Sequence, residues 1–493
     1  ANIDEVKNNL EHITDYAIKY FEYLKKEYGS ERKRKTKVQE FDDVDKKDIS
    51  IKNQKLYVNK KDGFIGTGMK KDDYLFDCSD LDDIIAFIAV IEKPKKILLM
   101  ITVGEPVDEV ITYLQEYLSS GDVIIDGGNS HYKDSLSRQQ QLLNLDIHYI
   151  GLGISGGANG ARYGPAIMAG GSVNCYKTIE PILRKIAART DNKEVCASHL
   201  GDSAAIGHFV KMIHNGIEYA DMQIIAETYD FLSKGMGYSE LETAKVFKQW
   251  SSSELSSFLI DISVSVLEYL DKDTEQPLVS LILDRAEQKG TGRLAAIAAL
   301  ELGVAAPSIS ESVSARILSS KKSERIHSAR IFKKPNENYT NLAIGDIKKA
   351  LLAAKISVYA QGFAVLSAAN KDYGWDMNLA EIARNWRAGC IIRARFLDDV
   401  AIAFATDAEL TNLIVAPHFS SILKESIPSL RTVIKWAITK GIPSAVFSAS
   451  LTYFETYTSL NLPANLIQGQ RDYFGAHGFE RIDKPGIYTS NWK

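Results

Sequence analysis

Cysteine is scarce in this chain of 493 residues: Cys78, Cys175, Cys196 and Cys390 stand far apart, with no C-x-x-C pair. That spacing excludes a disulfide framework and a thiolate zinc site, and no metal is expected. No uninterrupted apolar run approaches the roughly 20 residues that cross a bilayer. The opening Ala1-Asn2-Ile3-Asp4-Glu5 lacks the basic-then-apolar order of a signal peptide. A cytoplasmic chain with no membrane partner is expected. Charge of one sign is lacking too: 59 Lys and Arg against 63 Asp and Glu leave a formal net charge of -4. Such a balance denies the chain general polyanion-binding character, so nucleic acid is not an expected partner. The hydrophobic share of 45% and charged share of 25% are ordinary for a globular protein. The length allows two or three domains with sizeable cores.

The most informative stretch present is Lys211-Met212-Ile213-His214-Asn215-Gly216-Ile217-Glu218-Tyr219. As a helix it sets Lys211, His214, Asn215 and Glu218 at i, i+3, i+4 and i+7, within an arc of roughly 100°. Its flanks, Ile206, Phe209, Val210, Ile213 and Ile217, are apolar, so the polar stripe faces a cleft rather than bulk water. A lysine and a glutamate at one cleft suit proton abstraction and return, because burial and mutual charge pull both pKa values toward neutrality. A charge pair on a solvated helix has the same spacing, and the periodicity alone does not separate the two.

The chain begins with helical spacing at Ile3, Val6, Leu10, Ile13, Ala17 and Leu24, up to Tyr28 and Gly29. A basic run, Arg32 to Lys35, and an acidic one, Asp42 to Asp45, read as solvated linker. Strand-like pieces follow, Lys55 to Val58 among them. From Pro94 the pattern turns to α/β. Ile97 to Ile101 reads as a strand buried on both faces, Asp122 to Asp126 as the next strand and Ile147 to Ile150 as a further one. Val107 to Leu118 and Ser135 to Leu143 read as helices. Gly151-Leu152-Gly153-Ile154-Ser155-Gly156 fits G-x-G-x-x-G, but Gly157, Gly160, Gly164 and Pro165 follow. With no immediate helix expected, it is not taken for a dinucleotide fingerprint. Gly66-Thr67-Gly68 has no third glycine, so the Gly-rich loop is not found. From about Ser203 to Pro463 the period is mainly helical, for example Ile224–Leu232, Leu241–Trp250, Ile347–Ala368 and Ala380–Phe396.

Two resemblances overlie this reading. Residues 1–88, through His12 to Ala17, Gln54 to Gly68 and Cys78 to Ile85, are similar to part of a bacterial type IIA topoisomerase A subunit. From about Pro94 to Lys493 the chain resembles 6-phosphogluconate dehydrogenase. The motifs that carry this are Asp126-Gly127-Gly128-Asn129-Ser130, Ser155-Gly156-Gly157, Gly160 to Pro165, Lys211 to Tyr219, Lys289-Gly290-Thr291-Gly292 and Gln470 to His477. The expected organisation is an atypical segment (1–91), a truncated Rossmann-like NADP domain (92–204), an all-α catalytic and dimerisation domain (205–463), and a C-terminal tail (464–493).

The second resemblance implies oxidation of C3 of 6-phosphogluconate by NADP, loss of carbon dioxide, and release of ribulose 5-phosphate. Lys211 is the implied base at the C3 hydroxyl and Glu218 the acid at C1. Asn129, Ser155, Gly156, Gly157, His214 and Asn215 are implied to hold hydroxyls and carboxylate. Tyr219, Lys289, Thr291 and Arg316 are implied to hold the phosphate, with Arg471 and His477 from the tail of a second subunit in a homodimer. Val103 and Asn129 are the implied cofactor contacts. This chain departs from the family pattern at Ala158-Asn159, Thr102 and Arg293-Leu294-Ala295, and without a Gly-rich loop impaired turnover is an expectation. A non-catalytic sugar-phosphate-binding or structural relative is the alternative.

Overall fold

The computed structural model describes residues 91–288, 290–332 and 342–492, together with Ile88 and two short strands, β1 (Lys55–Val58) and β2 (Tyr74–Asp77), which pair antiparallel. β1 coincides with the strand expected there. The other expectations for residues 1–90, including the topoisomerase-like motifs and Gly66-Thr67-Gly68, lie outside the described residues, as does Lys289.

A five-stranded sheet follows, in the order β3 (Lys96–Leu99), β4 (Val123–Asp126), β5 (His148–Ser155), β6 (Ala166–Gly170), β7 (Ala197–His199). β3, β4 and β5 are parallel, β6 runs antiparallel to β5, and β7 is parallel to β6. The helices α1 (Glu105–Gln115) and α2 (Tyr132–Leu143) make the crossovers between the parallel strands. The uninterrupted apolar runs of β3 and β4 have a direct cause, since both sheet faces are covered. Ile97, Leu99 and Ile124 join Val107, Ile111 and Leu142 on one face. Val123, Ile125 and Ile150 join Tyr176, Ile179 and Leu183 of α4 (Val173–Ile186) on the other.

Two expectations are corrected here. A helix does follow the Gly151-to-Gly156 run, the seven-residue α3 (Gly157–Tyr163). The run is still no phosphate-binding turn, because β5 passes straight through Gly151 and Gly153. A Cβ on Gly153 would stand 2.4 Å from the carbonyl of Gly207, and one on Gly151 2.2 Å from that of Ala204. These glycines let a helix lie directly on the strand. The second correction concerns Ala380–Phe396, where the helix ends at Asn385. Gly389 then turns at φ 69°, its Cα against Ala188 and Ala166, and the next helix starts at Leu397. β6 and β7 were not expected at all.

The helix lying on β5 and β6 is α5 (Ala204–Asp230), whose 27 residues are almost entirely buried. Its N-terminal half touches the sheet, and further along Gly216 meets Ala295 and Ile309 of the helical domain. A single rigid element therefore serves both domains, with the Lys211 stripe at the crossing. The helix Ile344–Asp372 packs against it, Gly362 on Ile217. That helix is long and apolar enough to cross a membrane, but 89% of its apolar window is buried inside the protein, as in a core helix.

Near the end of α5, Glu227 is buried and accepts the N–H groups of Val446 (3.0 Å) and Phe447 (3.1 Å) at the start of the helix Ala445–Tyr457. Burial outweighs these bonds and raises its carboxyl pKa to about 7. The folded chain therefore binds this proton more tightly than the unfolded chain, and stability falls as pH rises from about 4.5 to 7. The group should cost about 3 kcal/mol above pH 7. Urea unfolding at pH 5 and pH 8 should show this slope, and Glu227→Gln should flatten it. An unchanged slope in the variant would mean that other groups set the pH dependence.

Candidate active site

α5 brings four polar side chains into the apolar junction of the two domains. Lys211, His214 and Asn215 are 7%, 0% and 7% exposed, while Glu218 opens toward solvent. Lys211 Nζ lies 3.5 Å from His214 Nδ1, which is 3.2 Å from Asn215 Oδ1. His214 Nε2 bonds Ser155 Oγ at the end of β5 (3.1 Å), and the ring packs edge-on to the fully buried Trp386. Burial and the Lys211 charge hold the His214 pKa well below its usual value. The imidazole is therefore neutral, and its 3.7 Å approach to Glu218 Oε2 is not an ion pair.

The two ends of the stripe shift in opposite senses. Burial lowers the Lys211 pKa, with Glu218 partly restoring it. Burial raises the Glu218 pKa, against the pull of Lys211 and Arg316. An ammonium that readily gives up a proton and a carboxyl that readily keeps one are what proton relay at a carbon centre needs.

One turn further, Tyr219 lies under the Arg316 guanidinium at 3.5 Å, a stacked cation–π contact. Gly292 approaches the Tyr219 ring so closely that a Cβ would fall 2.4 Å from it, which places Thr291 at the start of its helix beside this pair. Arg316 spends N–H bonds on the Glu287 carbonyl (3.3 Å) and Met222 Sδ (3.4 Å), leaving its remaining donors for an anion. Gly156 (φ 123°) and Gly157 (φ 57°) follow Ser155 in conformations that favour glycine, and no atom lies within 4 Å of where a Gly157 Cβ would be. That backbone is free to approach a ligand.

Asn129 and Val103 are exposed at the C-terminal ends of β4 and β3, where doubly wound sheets bind ligands. The two loops touch, since a Cβ on Gly128 would be 3.2 Å from Val103 Cγ1. With the exposed Met100 beside them they form an open, partly apolar shelf, which fits the flat ring of a nicotinamide. Arg471 and His477 are not brought to this cluster within the chain. Arg471 donates to Gln468 of its own helix, Ala464–Gly475, and His477 packs edge-on against Phe474, both in an exposed tail. A cavity of about 780 Å³ lies behind the loop, lined by Gly156, Asn159, Arg387 and Arg393. Neither Lys211 nor Glu218 lines it, so it is not the reacting site. Among the described residues no cluster of His, Cys, Asp or Glu could hold a metal.

Sequence reasoning missed the supports of this site. His208, one turn before Lys211, bonds the Asp126 carbonyl through Nε2 (3.1 Å) and Ser135 Oγ through Nδ1 (2.6 Å). The Asp126 carboxylate in turn accepts from Ser130 Oγ (2.6 Å), Tyr149 Oη (2.8 Å) and the Gly128 N–H (2.9 Å).

A nucleotide-type sheet joined through one helix to an all-helical domain, with an acid–base pair at the junction, defines a two-domain dehydrogenase. Residues 207–492 match the 6-phosphogluconate dehydrogenase C-terminal domain, and residues 57–201 the NAD binding domain of 6-phosphogluconate dehydrogenase. The decarboxylating 6-phosphogluconate dehydrogenase of Lactococcus lactis is 44% identical over 410 residues, 82% of this chain and 87% of that protein. The NADP(+)-dependent, decarboxylating enzyme of Bacillus subtilis is 45% identical over 411 residues, with the same coverage. The 6-phosphogluconate dehydrogenase structure from Plasmodium falciparum superposes with a TM-score of 0.80 at 40% identity, covering 83% of this chain and 88% of that one. The chain belongs to the 6-phosphogluconate dehydrogenase family.

Proposed function

We propose that this protein converts 6-phosphogluconate to ribulose 5-phosphate and carbon dioxide with reduction of NADP. The observation that carries the reading is the buried Lys211-to-Glu218 stripe, with its opposed pKa shifts beside Ser155 and the neutral His214. NADP, against Val103 and Asn129, would supply the acceptor for the hydride from C3. The neutral Lys211 amine takes the proton of the C3 hydroxyl as that hydride leaves. The bond from C2 to the carboxylate then breaks, its electron pair flows toward the C3 carbonyl, and Lys211 returns its proton to that oxygen. Glu218, protonated at this stage, delivers a proton to the former C2, which becomes C1 of the product, and the enediol hydroxyl proton on the former C3 returns to solvent as the ketone forms there.

Ser155, Gly156, Gly157, Asn129, His214 and Asn215 hold the carboxylate and hydroxyls. Arg316, stacked on Tyr219, with Thr291 and Lys289, takes the phosphate. Arg471 and His477 complete it from the tail of a second copy in a homodimer. Supporting that assembly, the tail leaves Leu466, Phe474 and Ile487 exposed by 65%, 72% and 79%, an apolar surface suited to burial against a partner.

The test is NADPH formation from 6-phosphogluconate and NADP, read by absorbance, with Glu218→Gln alongside wild type. Because the Glu218 step follows hydride transfer, the variant should give a burst of about one NADPH per site. A steady rate lower by about 10²–10³ should follow, with kcat/KM for 6-phosphogluconate changed less than threefold, because the slowed step comes after hydride transfer. Saturable binding of 6-phosphogluconate without NADPH formation by wild type would instead support a non-catalytic sugar-phosphate-binding relative.

A further inference from the structure

We infer that Arg138 is a positioning residue that fastens the two cofactor-facing loops to each other, and so sets the affinity for the nicotinamide nucleotide without touching it. The inference rests on the cofactor placement proposed above. Arg138 sits on α2, is 2% exposed, and has its guanidinium between the loop after β3 and the turn after β4. Toward the first loop, Nε donates to Asp108 Oδ1 (2.6 Å) and Nη2 to the Gly104 carbonyl (3.0 Å). Toward the second, Nη1 donates to Ser130 Oγ (3.3 Å) and Asp126 Oδ2 (3.4 Å).

Two of these contacts fall next to a proposed cofactor contact, on Gly104 and Ser130, while Asp108 lies in the first turn of α1 and Asp126 at the end of β4. Gly104 follows Val103 and, at φ 91°, starts α1; Asp126 and Ser130 bracket Gly127, Gly128 and Asn129. On the outer side the loops meet through apolar contacts, Val103 and Met100 against Gly128 and Gly127, and one backbone bond joins the strand ends below them, the Gly127 N–H on the Leu99 carbonyl (2.9 Å). The planar fork of Arg138 supplies the direction, since its donors leave in one plane toward both loops at once. A lysine would reach one side as a point charge, and a methionine neither.

The ends of the network differ in what they can disturb. Asp126 remains held by Ser130, Tyr149 and Gly128 when Arg138 is changed. Asp108 is largely exposed and serves the first loop alone. The loss of Arg138 should therefore release the Val103–Glu105 loop more than the Asn129 turn, and weaken cofactor binding more than substrate binding.

The experiment measures NADPH binding by its fluorescence and 6-phosphogluconate binding by calorimetry, on full-length wild type, Arg138→Met, Arg138→Lys and Asp108→Asn. NADPH affinity should fall by about 10-fold or more in Arg138→Met, with Arg138→Lys between it and wild type, and by about 3-fold in Asp108→Asn. Affinity for 6-phosphogluconate should stay within about 3-fold throughout. Asp108→Asn changes a surface group, so it carries the test if Arg138→Met does not fold. The inference is overturned if NADPH affinity is unchanged, if both ligands weaken in parallel as a general loss of structure would cause, or if wild type does not bind NADPH. A wild type that binds both ligands without forming NADPH would remove the proposed reaction, while the affinity ratios still decide the role of Arg138.

Discussion

Lys211→Ala should lower the steady rate of NADPH formation by at least about 10³, with 6-phosphogluconate still bound. Lys211 is asked to do two things in succession, to accept the C3 hydroxyl proton and to return one to the same oxygen. An alanine supplies neither. A guanidinium cannot substitute, because it does not deprotonate in a protein, so Lys211→Arg should be as inactive as Lys211→Ala. That pairing separates a base from a charge that merely attracts the substrate carboxylate, since arginine would preserve attraction. Burial lowers the Lys211 pKa, which favours the neutral amine that the reaction needs. The sign of the pH profile follows. Activity should fall on the acid side as Lys211 gains its proton, and on the alkaline side as Glu218 loses the one it must donate. Kinetics from pH 5 to 10 would check both limbs. Appreciable turnover by Lys211→Arg would rule Lys211 out as the base.

The polar stripe was legible in the sequence because polar side chains on an otherwise apolar helix are conspicuous, and their period of 3.6 survives burial. Lys211, His214, Asn215 and Glu218 stand together in the structure as that period requires. The strands Lys96–Leu99 and Val123–Asp126 were legible for a related reason, since a strand covered on both faces must be apolar throughout. Ala166–Gly170 and Ala197–His199 were not, because runs of five and three residues are too short to carry a period that separates strand from loop. Nor was the end of the helix at Asn385, since Gly389 turns at φ 69° in a place where neighbours more than 200 residues distant in sequence, Ala166 and Ala188, leave no room for a side chain. The supports of the site were hidden for the same reason. Arg138 reaches Asp108 and Gly104, 30 and 34 residues away, and His208 reaches Asp126, 82 away. No local pattern marks a partnership made across the fold.

The second large effect concerns the ion pair beneath Glu218. Asp221 lies one turn beyond Glu218 on the same helix and pairs with Lys355 of the helix Ile344–Asp372, their side chains 1% and 2% exposed. The Lys355 ammonium also faces the rings of Tyr359 (5.6 Å) and Phe396 (5.8 Å), and Tyr359 Oη donates to the Ile392 carbonyl (2.8 Å). Lys355→Met should cost about 3–5 kcal/mol, because it leaves the Asp221 charge in an apolar interior without its partner. Most of that cost is the stranded charge rather than the worth of the pair. The double variant Asp221→Leu, Lys355→Met should therefore recover to within about 2 kcal/mol of wild type. Urea unfolding followed by circular dichroism measures both, and a double variant no more stable than Lys355→Met would refute the stranded-charge account. The same single variant has a catalytic signature. The Asp221 charge already raises the Glu218 pKa slightly, and removing Lys355 leaves that charge uncompensated. Any enzyme that still folds should then hold the Glu218 proton to higher pH and shift its alkaline limb upward. Lys355 thus links the stability of the helical core to the timing of the last proton transfer.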